Sequence, residues 1–326
     1  MLKPNKIKIG VLGCASIAQR FLIPAINNNI NFDLHGIASR SSEKAQNFAK
    51  NFKTLPFDSY ESLIESGIDA IYIPLPTGLH YKWIKKSLEN NLHVLVEKSM
   101  ACSLSEVEEL NYIAKSQSLV LLENFQFRFH KQLCFIKEKI DEGYVGEIQL
   151  LRSSFGFPPF KEKNNIRYQK NLGGGALLDA GAYTLKIAQI FLGKEIYVDS
   201  ASLVWPKDSE VDIYGSGLIK QKNGSASAQV AFGFDNFYQN SLEIWGTKGR
   251  IFANRIFTAG PDFQPEVLIE NENEKEIANS LKDDHFKNML NFFSDLIINK
   301  ENVQKEYNDN MNQGRLLHEF YEKSKT

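Results

Sequence analysis

The sequence predicts an α/β fold, in which a doubly wound parallel sheet is followed by an α+β domain with a large, mainly antiparallel open sheet. Up to Asn124, short apolar runs alternate with helical patterns. After that residue, strand-like segments follow one another, separated by turns such as Lys222–Gly224 and Thr247–Gly249. The length of 326 residues also suits two domains. We therefore predict domains at 1–124 and 125–326, with a last helix that packs on either of them.

The first domain is predicted to alternate strands and helices. Apolar runs bounded by turn residues predict strands at Ile7–Leu12, Leu34–Ala38, Asp69–Ile73, His93–Val96 and Leu119–Leu122. Helical periodicity predicts helices at Ile17–Asn27, Ser42–Asn51, Tyr60–Glu65 and Tyr81–Asn90. Another helix opens at Ser103, because Ser103 and Glu106 have the spacing of a capping box. Strands that alternate with helices require crossover connections, which predicts the parallel sheet.

The second domain is predicted to contain fewer helices and more strands. Helices are predicted at Lys131–Glu142, Leu177–Leu192, about Asp284–Ile298 and about Asn308–Lys323. A long strand is predicted at Glu147–Phe157, and the segments between Tyr197 and Ala253 predict an antiparallel meander. The alternation of Phe125, Phe127 and Phe129 with polar residues predicts an extended segment with one core face.

Composition and charge exclude several classes of protein. The chain has 38 basic and 39 acidic residues, and this balance argues against a nucleic-acid partner. The 3 cysteines match neither a disulfide framework nor a metal clip, so we expect no metal and a reducing compartment. No apolar run approaches the ~18 residues of a membrane span. The N-terminal residues lack the features of a signal peptide, so we expect no membrane association and a cytoplasmic location.

The turn after the first predicted strand has the pattern G-x-A-x-x-A at Gly13, Ala15 and Ala18. Such a turn between a strand and a helix lets backbone N–H groups approach a pyrophosphate. The start of the helix, at Ser16 and Ile17, offers its dipole to the same anion. The turn therefore predicts a dinucleotide site, and the alternative is a merely tight strand–helix connection.

The second predicted strand ends in Ser39, Arg40 and Ser41, without the acidic residue that usually binds the ribose 2′-hydroxyl of NAD. An arginine and two serines suit a 2′-phosphate instead. The sequence thus favours NADP over NAD, with NADPH preferred to NADH. The alternative is an exposed arginine at the start of a helix.

Four segments in order resemble the glucose–fructose oxidoreductase, inositol dehydrogenase and rhizopine-catabolism family (Gfo/Idh/MocA) over nearly the whole chain. They are the Gly13 turn, Pro76–His80, Val96–Met100 and Gly173–Tyr183. Three departures stand out: Ala15 replaces a glycine, Ser99 replaces a proline whose peptide bond is often cis, and Tyr183 replaces a histidine. The tyrosine version looks like the branch of sugar 3-ketoreductases, aldose dehydrogenases and dihydrodiol dehydrogenases.

The resemblance implies a Rossmann domain, a substrate-binding and oligomerisation domain, and a homodimer or homotetramer. It implies catalytic roles for Lys98, Tyr183 and Asp179, and substrate contacts from Asn124, Arg128, Arg167 and Tyr183. The cofactor would contact Gly13, Ala15, Ser16, Ile17, Ser39, Arg40, Ser41, Pro74, Leu75, His80, Glu97 and Lys98. Each role has an alternative: Lys98 as a surface lysine, Tyr183 as a core aromatic residue, Asp179 as a helix-start charge, His80 as a packed histidine, and either arginine in a structural ion pair.

Taken together, the resemblance implies an NADP(H)-dependent sugar oxidoreductase. The favoured reaction is reduction of the C3 keto group of a nucleotide-linked deoxysugar, with hydride from nicotinamide C4 and a proton from Lys98 and Tyr183. Which of the two residues is the final proton donor stays open. Two alternatives also stay open, a dehydrogenase of a free aldose or cyclic diol and a non-catalytic dinucleotide-binding regulator.

Overall fold

A computed structural model describes residues 6–162, 164–279 and 281–325. The prediction that the N-terminal residues lack signal-peptide features concerns residues 1–5 in part, and these lie outside the described residues. The chain divides into two compact units. The first unit comprises the chain up to Asn124 together with Phe286–Met311, and the second comprises Phe125–His285 and the chain from Asn312 onward.

The first unit is built on a six-stranded sheet in which every neighbouring pair is parallel. Its strands are β1 (Ile7–Leu12), β2 (Phe32–Ala38), β3 (Leu55–Phe57), β4 (Ala70–Ile73), β5 (His93–Glu97) and β6 (Leu121–Asn124). The strand order β3-β2-β1-β4-β5-β6 reverses direction between β1 and β4, and such a point is where doubly wound sheets bind ligands. The predicted fold class is confirmed. The short edge strand β3 was not predicted, because three residues are too few to show a strand period.

The helices of the first unit follow the strands as predicted. They are α1 (Ile23–Asn27), α2 (Ser42–Phe52), α3 (Tyr60–Ile64), α4 (His80–Glu89) and α5 (Leu104–Ser116). Ser103 and Glu106 form the predicted capping box. The helix predicted at Ile17–Asn27 is not uniform, because Ala18–Leu22 is a π-helical turn that leads into α1. Such turns are rare and occur often at functional sites.

The second unit contains an eight-stranded sheet that is mostly antiparallel. Its strands are β7 (Ile148–Gly156), β8 (Ile196–Val204), β9 (Tyr214–Gln221), β10 (Ser227–Gly233), β11 (Gln239–Gly246), β12 (Gly249–Asn254), β13 (Val267–Asn271) and β14 (Lys275–Ala278). The prediction of a continuous meander was wrong in one respect. The early strand β7 lies between β10 and β11 and runs parallel to β10, since strand pairing is decided by distant segments and not by order alone.

The second unit contains α6 (Lys131–Asp141) and α7 (Ala182–Leu192). Of the two last described helices, α8 (His285–Asn299) lies almost wholly in the first unit, and α9 (Val303–Lys323) is divided between the two units. The extended segment predicted at Phe125–Phe129 was wrong, because Gln126–Phe129 forms a short 3₁₀ turn. Phe125 and Phe127 are both fully buried, and the N–H of Arg128 donates to the carbonyl of Phe125. The phenylalanines therefore enter one core from a turn and not from a strand.

Each unit has its own apolar core. The first core lies between one face of the parallel sheet and the helices α3, α4 and α5, and the second lies between α7 and the larger sheet. Among the described residues, no helix combines the length and apolar character needed to cross a membrane.

Candidate functional site

The turn after β1 is shaped by Gly13, whose φ of +122° lies in a region that side-chain-bearing residues rarely adopt. Its N–H donates to the carbonyl of Ala38 at 2.9 Å. A Cβ at this position would lie 2.8 Å from Cδ2 of Leu75, so only glycine leaves this space open. The helix that follows begins at Ser16 and directs the free N–H groups of its first turn toward the Gly13 side. The turn therefore fits a bound pyrophosphate.

The segment after β2 presents hydroxyl groups and a guanidinium group. Ser41 caps α2, and its Oγ accepts a hydrogen bond from the N–H of Lys44. Arg40 is exposed and lies near the hydroxyl of Tyr60, whose pKa is raised by burial, a shift that the charge of Arg40 opposes. Ser39 is buried, and its Oγ accepts from the N–H of Ser41 at 3.2 Å. Arg40 thus lies beside the two serines and near Tyr60, a neighbour that sequence reasoning missed because it is twenty residues away in the chain.

His80 begins α4 and is completely buried. Its Nδ1 lies 2.8 Å from the carbonyl oxygen of Ser99, and its Nε2 lies 2.7 Å from that of Leu75. Burial lowers the pKa of the imidazole to about 4. The side chain therefore packs between the segments that follow β4 and β5. The predicted contact of His80 with the cofactor stays a prediction.

Glu97 and Asn124 end the neighbouring strands β5 and β6. The Glu97 carboxylate accepts hydrogen bonds of 2.7 Å from the Tyr72 hydroxyl and from Nδ2 of Asn124. Burial raises the pKa of Glu97, and these two bonds oppose the shift. Asn124 is 1% exposed, and its Oδ1 has no hydrogen-bond partner among the described residues. This acceptor is one that a bound ligand could satisfy.

Lys98 follows Glu97 at the carboxyl end of β5, where open α/β sheets bind ligands. Its side chain is half-buried, and the peptide bond that joins it to Ser99 is cis. Pro74 and Leu75, at the carboxyl end of β4, complete this edge of the first unit. Pro74 is buried, and the side chain of Leu75 covers Gly13.

In the second unit, Tyr183 lies inside a box of phenylalanine rings and is 6% exposed. The centroid of its ring lies 5.1–5.7 Å from those of Phe125, Phe127, Phe155 and Phe257. Its hydroxyl oxygen lies 3.3 Å from Nε2 and 3.4 Å from Oε1 of Gln126. The box holds the ring, and Gln126 contacts the hydroxyl. No local pattern in the sequence predicts this contact.

Asp179 and Arg167 form an ion pair with a distance of 2.5 Å between Nε and Oδ2. The carboxylate raises the pKa of Arg167, and the guanidinium also lies 4.7 Å from the ring centroid of Phe160. Arg167 therefore forms an ion pair, which is the alternative to its predicted substrate contact. Arg128 is half-buried, and its guanidinium lies 5.3 Å from the ring of Phe129.

Asp179 and Tyr183 do not lie on one regular α-helix, so the helix predicted at Leu177–Leu192 is not uniform. Leu177–Gly181 is a π-helical turn, and α7 begins only after it. Asp212 stabilises the start of this turn, because its carboxylate accepts a hydrogen bond from the N–H of Leu177 at 2.7 Å. Gly175, at φ +115°, makes room, since a Cβ there would lie 2.4 Å from Oδ1 of Asp212. Burial raises the pKa of Asp212 to about 6.

The structure thus gathers the predicted residues into one group in each unit. Gly13, Leu75, His80 and Ser99 are linked by contacts in the first unit, and Arg167, Asp179 and Tyr183 lie together in the second. In the part of the chain that the structure describes, no cluster of three or more His, Cys, Asp or Glu side chains could hold a metal ion.

Two family models match the chain. A model described as an oxidoreductase family with an NAD-binding Rossmann fold matches residues 7–125, and the GFO/IDH/MocA C-terminal domain matches residues 135–252.

Individual relatives match over nearly their whole length. A dTDP-3,4-didehydro-2,6-dideoxy-alpha-D-glucose 3-reductase of Actinomadura kijaniata is 36% identical over 96% of this chain and 94% of its own. A D-xylose 1-dehydrogenase (NADP(+)) of Haloferax volcanii is 28% identical over 97% of both chains. The crystal structure of a 3-ketoreductase from Actinomadura kijaniata with NADP and TDP-benzene superposes with a TM-score of 0.92, at 35% identity and 96% coverage of both chains.

Proposed function

Because the chain belongs to the GFO/IDH/MocA family of oxidoreductases, we propose that it is an NADP(H)-dependent reductase of the C3 keto group of a nucleotide-linked deoxysugar. The observation that carries this proposal is the full-length similarity to the dTDP-sugar 3-reductase and to the NADP-bound 3-ketoreductase structure. The D-xylose dehydrogenase is less similar, which favours the nucleotide-linked sugar over a free aldose.

The first unit is proposed to hold NADPH. The N–H groups around Gly13, Ala15, Ser16 and Ile17 would bind the pyrophosphate, because a helix N-terminus favours an anion. Ser39, Arg40 and Ser41 would bind the 2′-phosphate, with the guanidinium of Arg40 as the charged donor. Pro74, Leu75, Glu97 and Asn124 would border the nicotinamide end, where Oδ1 of Asn124 awaits a donor. His80 would also support the backbone of this region, because its neutral ring donates one hydrogen bond, to the carbonyl of Leu75 or to that of Ser99.

The chemistry requires a hydride and a proton. When bound, the reduced nicotinamide supplies the hydride from its C4. Lys98 and Tyr183 would supply the proton to the C3 oxygen, and the ammonium of Lys98 would also stabilise negative charge that develops there. Asp179, held by Arg167, would fix the π-helical turn that precedes Tyr183. Arg128 would contact the anionic part of the substrate.

The proposed function is tested with purified protein, NADPH and dTDP-3,4-didehydro-2,6-dideoxy-α-D-glucose, by following the nicotinamide absorbance. We expect NADPH oxidation that depends on the sugar. Turnover of D-xylose with NADP⁺ and none of the keto sugar would instead favour the aldose dehydrogenase. Tight binding of NADPH, seen by its fluorescence, without turnover over a panel of sugars would favour a regulator.

The catalytic assignments are tested with Lys98→Met and Tyr183→Phe. Each removes a proton-transferring group, so kcat should fall by about 10²–10⁴-fold. NADPH fluorescence should show that Tyr183→Phe still binds the cofactor. Near-normal turnover of Tyr183→Phe would remove Tyr183 from the proton-transfer step and leave Lys98 as the donor.

The open face of the eight-stranded sheet is proposed to join copies of the chain into a homodimer or homotetramer. It exposes apolar and aromatic side chains, among them Trp245 (39%), Val204 (45%), Tyr214 (38%) and Ile277 (56%). A shallow cavity of about 530 Å³ on the same sheet is lined by small residues such as Ser154, Ser202 and Ser216. Light scattering should report an oligomer that Trp245→Glu weakens, and a monomeric wild type would contradict this.

A further inference from the structure

We propose that Gln126 is a positioning residue for Tyr183, with an amide that supports the hydroxyl before proton transfer and the phenolate after it. The inference rests on the proposed function and names a residue that the proposed mechanism does not use. Both ends of the Gln126 amide lie within hydrogen-bond distance of the Tyr183 oxygen, at 3.3 Å for Nε2 and 3.4 Å for Oε1.

The surroundings of Tyr183 are mostly aromatic, so a hydrogen-bond donor among them would stabilise its anion. The four phenylalanine rings of the box offer no hydrogen bond to an oxygen anion, and Tyr183 itself is 6% exposed. A buried anion is costly unless a donor or an opposite charge compensates it. Gln126 is 7% exposed and supplies N–H donors from within the same buried region.

The amide suits both states of the tyrosine. Before the step, the hydroxyl donates to Oε1 of Gln126 or to the substrate oxygen. During the step, the O–H bond of Tyr183 breaks and an O–H bond forms on the C3 oxygen, while the hydride adds to C3 and NADPH is oxidised to NADP⁺. The tyrosine is left as a phenolate, to which Nε2–H of Gln126 donates, so the amide stabilises the product side.

Other charges face this region and must be held constant in any test. Lys186 on α7 places its Nζ 5.0 Å from the ring centroid of Phe125, and Arg167 interacts electrostatically with both Asp179 and Tyr183. Neither Phe125 nor these charged residues is altered when Gln126 alone is replaced. A change in the behaviour of Tyr183 can therefore be assigned to the amide.

Two near-isosteric variants separate positioning from packing. Gln126→Met removes both hydrogen-bonding functions, and Gln126→Glu has only acceptors once its carboxyl is ionised. With the keto sugar and NADPH, we expect kcat to fall about 10-fold or more in each, with KM nearly unchanged, because a hydrogen bond to a charged group contributes about 1.5–3 kcal/mol. Gln126→Glu should lose more activity as the pH rises and the carboxyl ionises.

A matched control is Gln132→Met, since Gln132 is also a buried glutamine but donates to the backbone carbonyls of Arg255 and Ile256. We expect it to lower stability and to leave kcat and its pH profile as in the wild type. If Gln126→Met behaves like this control, the positioning role is overturned while the proposed function stands.

A second measurement does not depend on turnover. Tyrosinate absorbance is titrated in the wild type and in Gln126→Met, and again in each of them with Tyr183→Phe added. The difference within each pair reports the ionisation of Tyr183 alone. The midpoint should be higher by about one pH unit or more in Gln126→Met than in the wild type, because the phenolate has lost its donor. Identical midpoints would overturn the inference, whatever the substrate proves to be. Absence of turnover in the wild type, with a shifted midpoint, would contradict only the proposed function.

Discussion

Residues that shape the candidate site form hydrogen bonds with partners far away in the sequence. Asp212 accepts a hydrogen bond from Leu177, which begins the π-helical turn before Tyr183 and lies 35 residues away in the sequence. Gln126 contacts Tyr183 across a separation of 57 residues. No local pattern marks either residue, so the sequence could not single them out. Arg40, in contrast, could be predicted because it lies just beyond the end of β2, and Lys98 because Val96–Met100 resembles a segment of the family.

Arg40 tests the cofactor preference at this scale. Arg40→Ala removes the guanidinium that would bind the 2′-phosphate, so kcat/KM for NADPH should fall about 10- to 100-fold, the effect of losing a charge-assisted hydrogen bond. The same constant for NADH, which lacks that phosphate, should change little. Kinetics with both cofactors check this, and an equal loss for both would show that Arg40 supports the fold and not the phosphate.

At the scale of elements, the sequence predicted the types of nearly all helices and strands but not their special geometry. The alternation that identifies a parallel sheet is local, and it predicted five of the six strands, all but the short β3. The π-helical turns at Ala18–Leu22 and Leu177–Gly181 and the place of β7 between β10 and β11 were not predicted. Their cause is packing, such as the approach of Gly181 to Phe232, which depends on segments far apart in the chain.

The turn between β1 and the first helix carries a prediction of its own. Gly13→Ala places a Cβ against Leu75 at a φ of +122°, so we expect weaker NADPH binding and a loss of about 1–3 kcal/mol in unfolding free energy. Gly67→Ala is the matched control, because Gly67 also has a positive φ but a Cβ there meets open space. Fluorescence titration and urea unfolding measure both effects. Unchanged NADPH affinity in Gly13→Ala would contradict the assignment of this turn to the cofactor.

On the scale of the whole molecule, two separate cores follow from the two patterns in the sequence, one for each unit. Buried histidines then couple the stability of the fold to pH. Burial lowers the pKa of His93 to about 4 and that of His285 to about 3. Nδ1 of His93 accepts a hydrogen bond from the N–H of Val120, so protonation of this nitrogen breaks the bond.

His93 therefore makes the protein sensitive to acid. The native state holds this proton less tightly than the unfolded chain, whose histidine has a pKa of 6.5. Its contribution to stability is complete above that pH and is lost toward about pH 4, at about 1.4 kcal/mol per pH unit. His93→Asn keeps an acceptor but cannot titrate, so its unfolding free energy should fall less steeply. Urea unfolding between about pH 4 and pH 6.5 measures the slope of unfolding free energy against pH for the wild type and for His93→Asn. The raised pKa of Asp212 changes stability in the opposite direction, but it contributes equally to both proteins. Parallel curves would contradict the prediction.

The central claim is that hydride passes from nicotinamide C4 to C3 of a nucleotide-linked keto sugar. The most direct test incubates the protein with dTDP-3,4-didehydro-2,6-dideoxy-α-D-glucose and NADPH that carries deuterium at the transferable C4 position, and locates the label in the product by NMR. The account predicts deuterium at C3 of the sugar and at no other carbon. Deuterium at C4 of the sugar, or a sugar recovered without label, would contradict it.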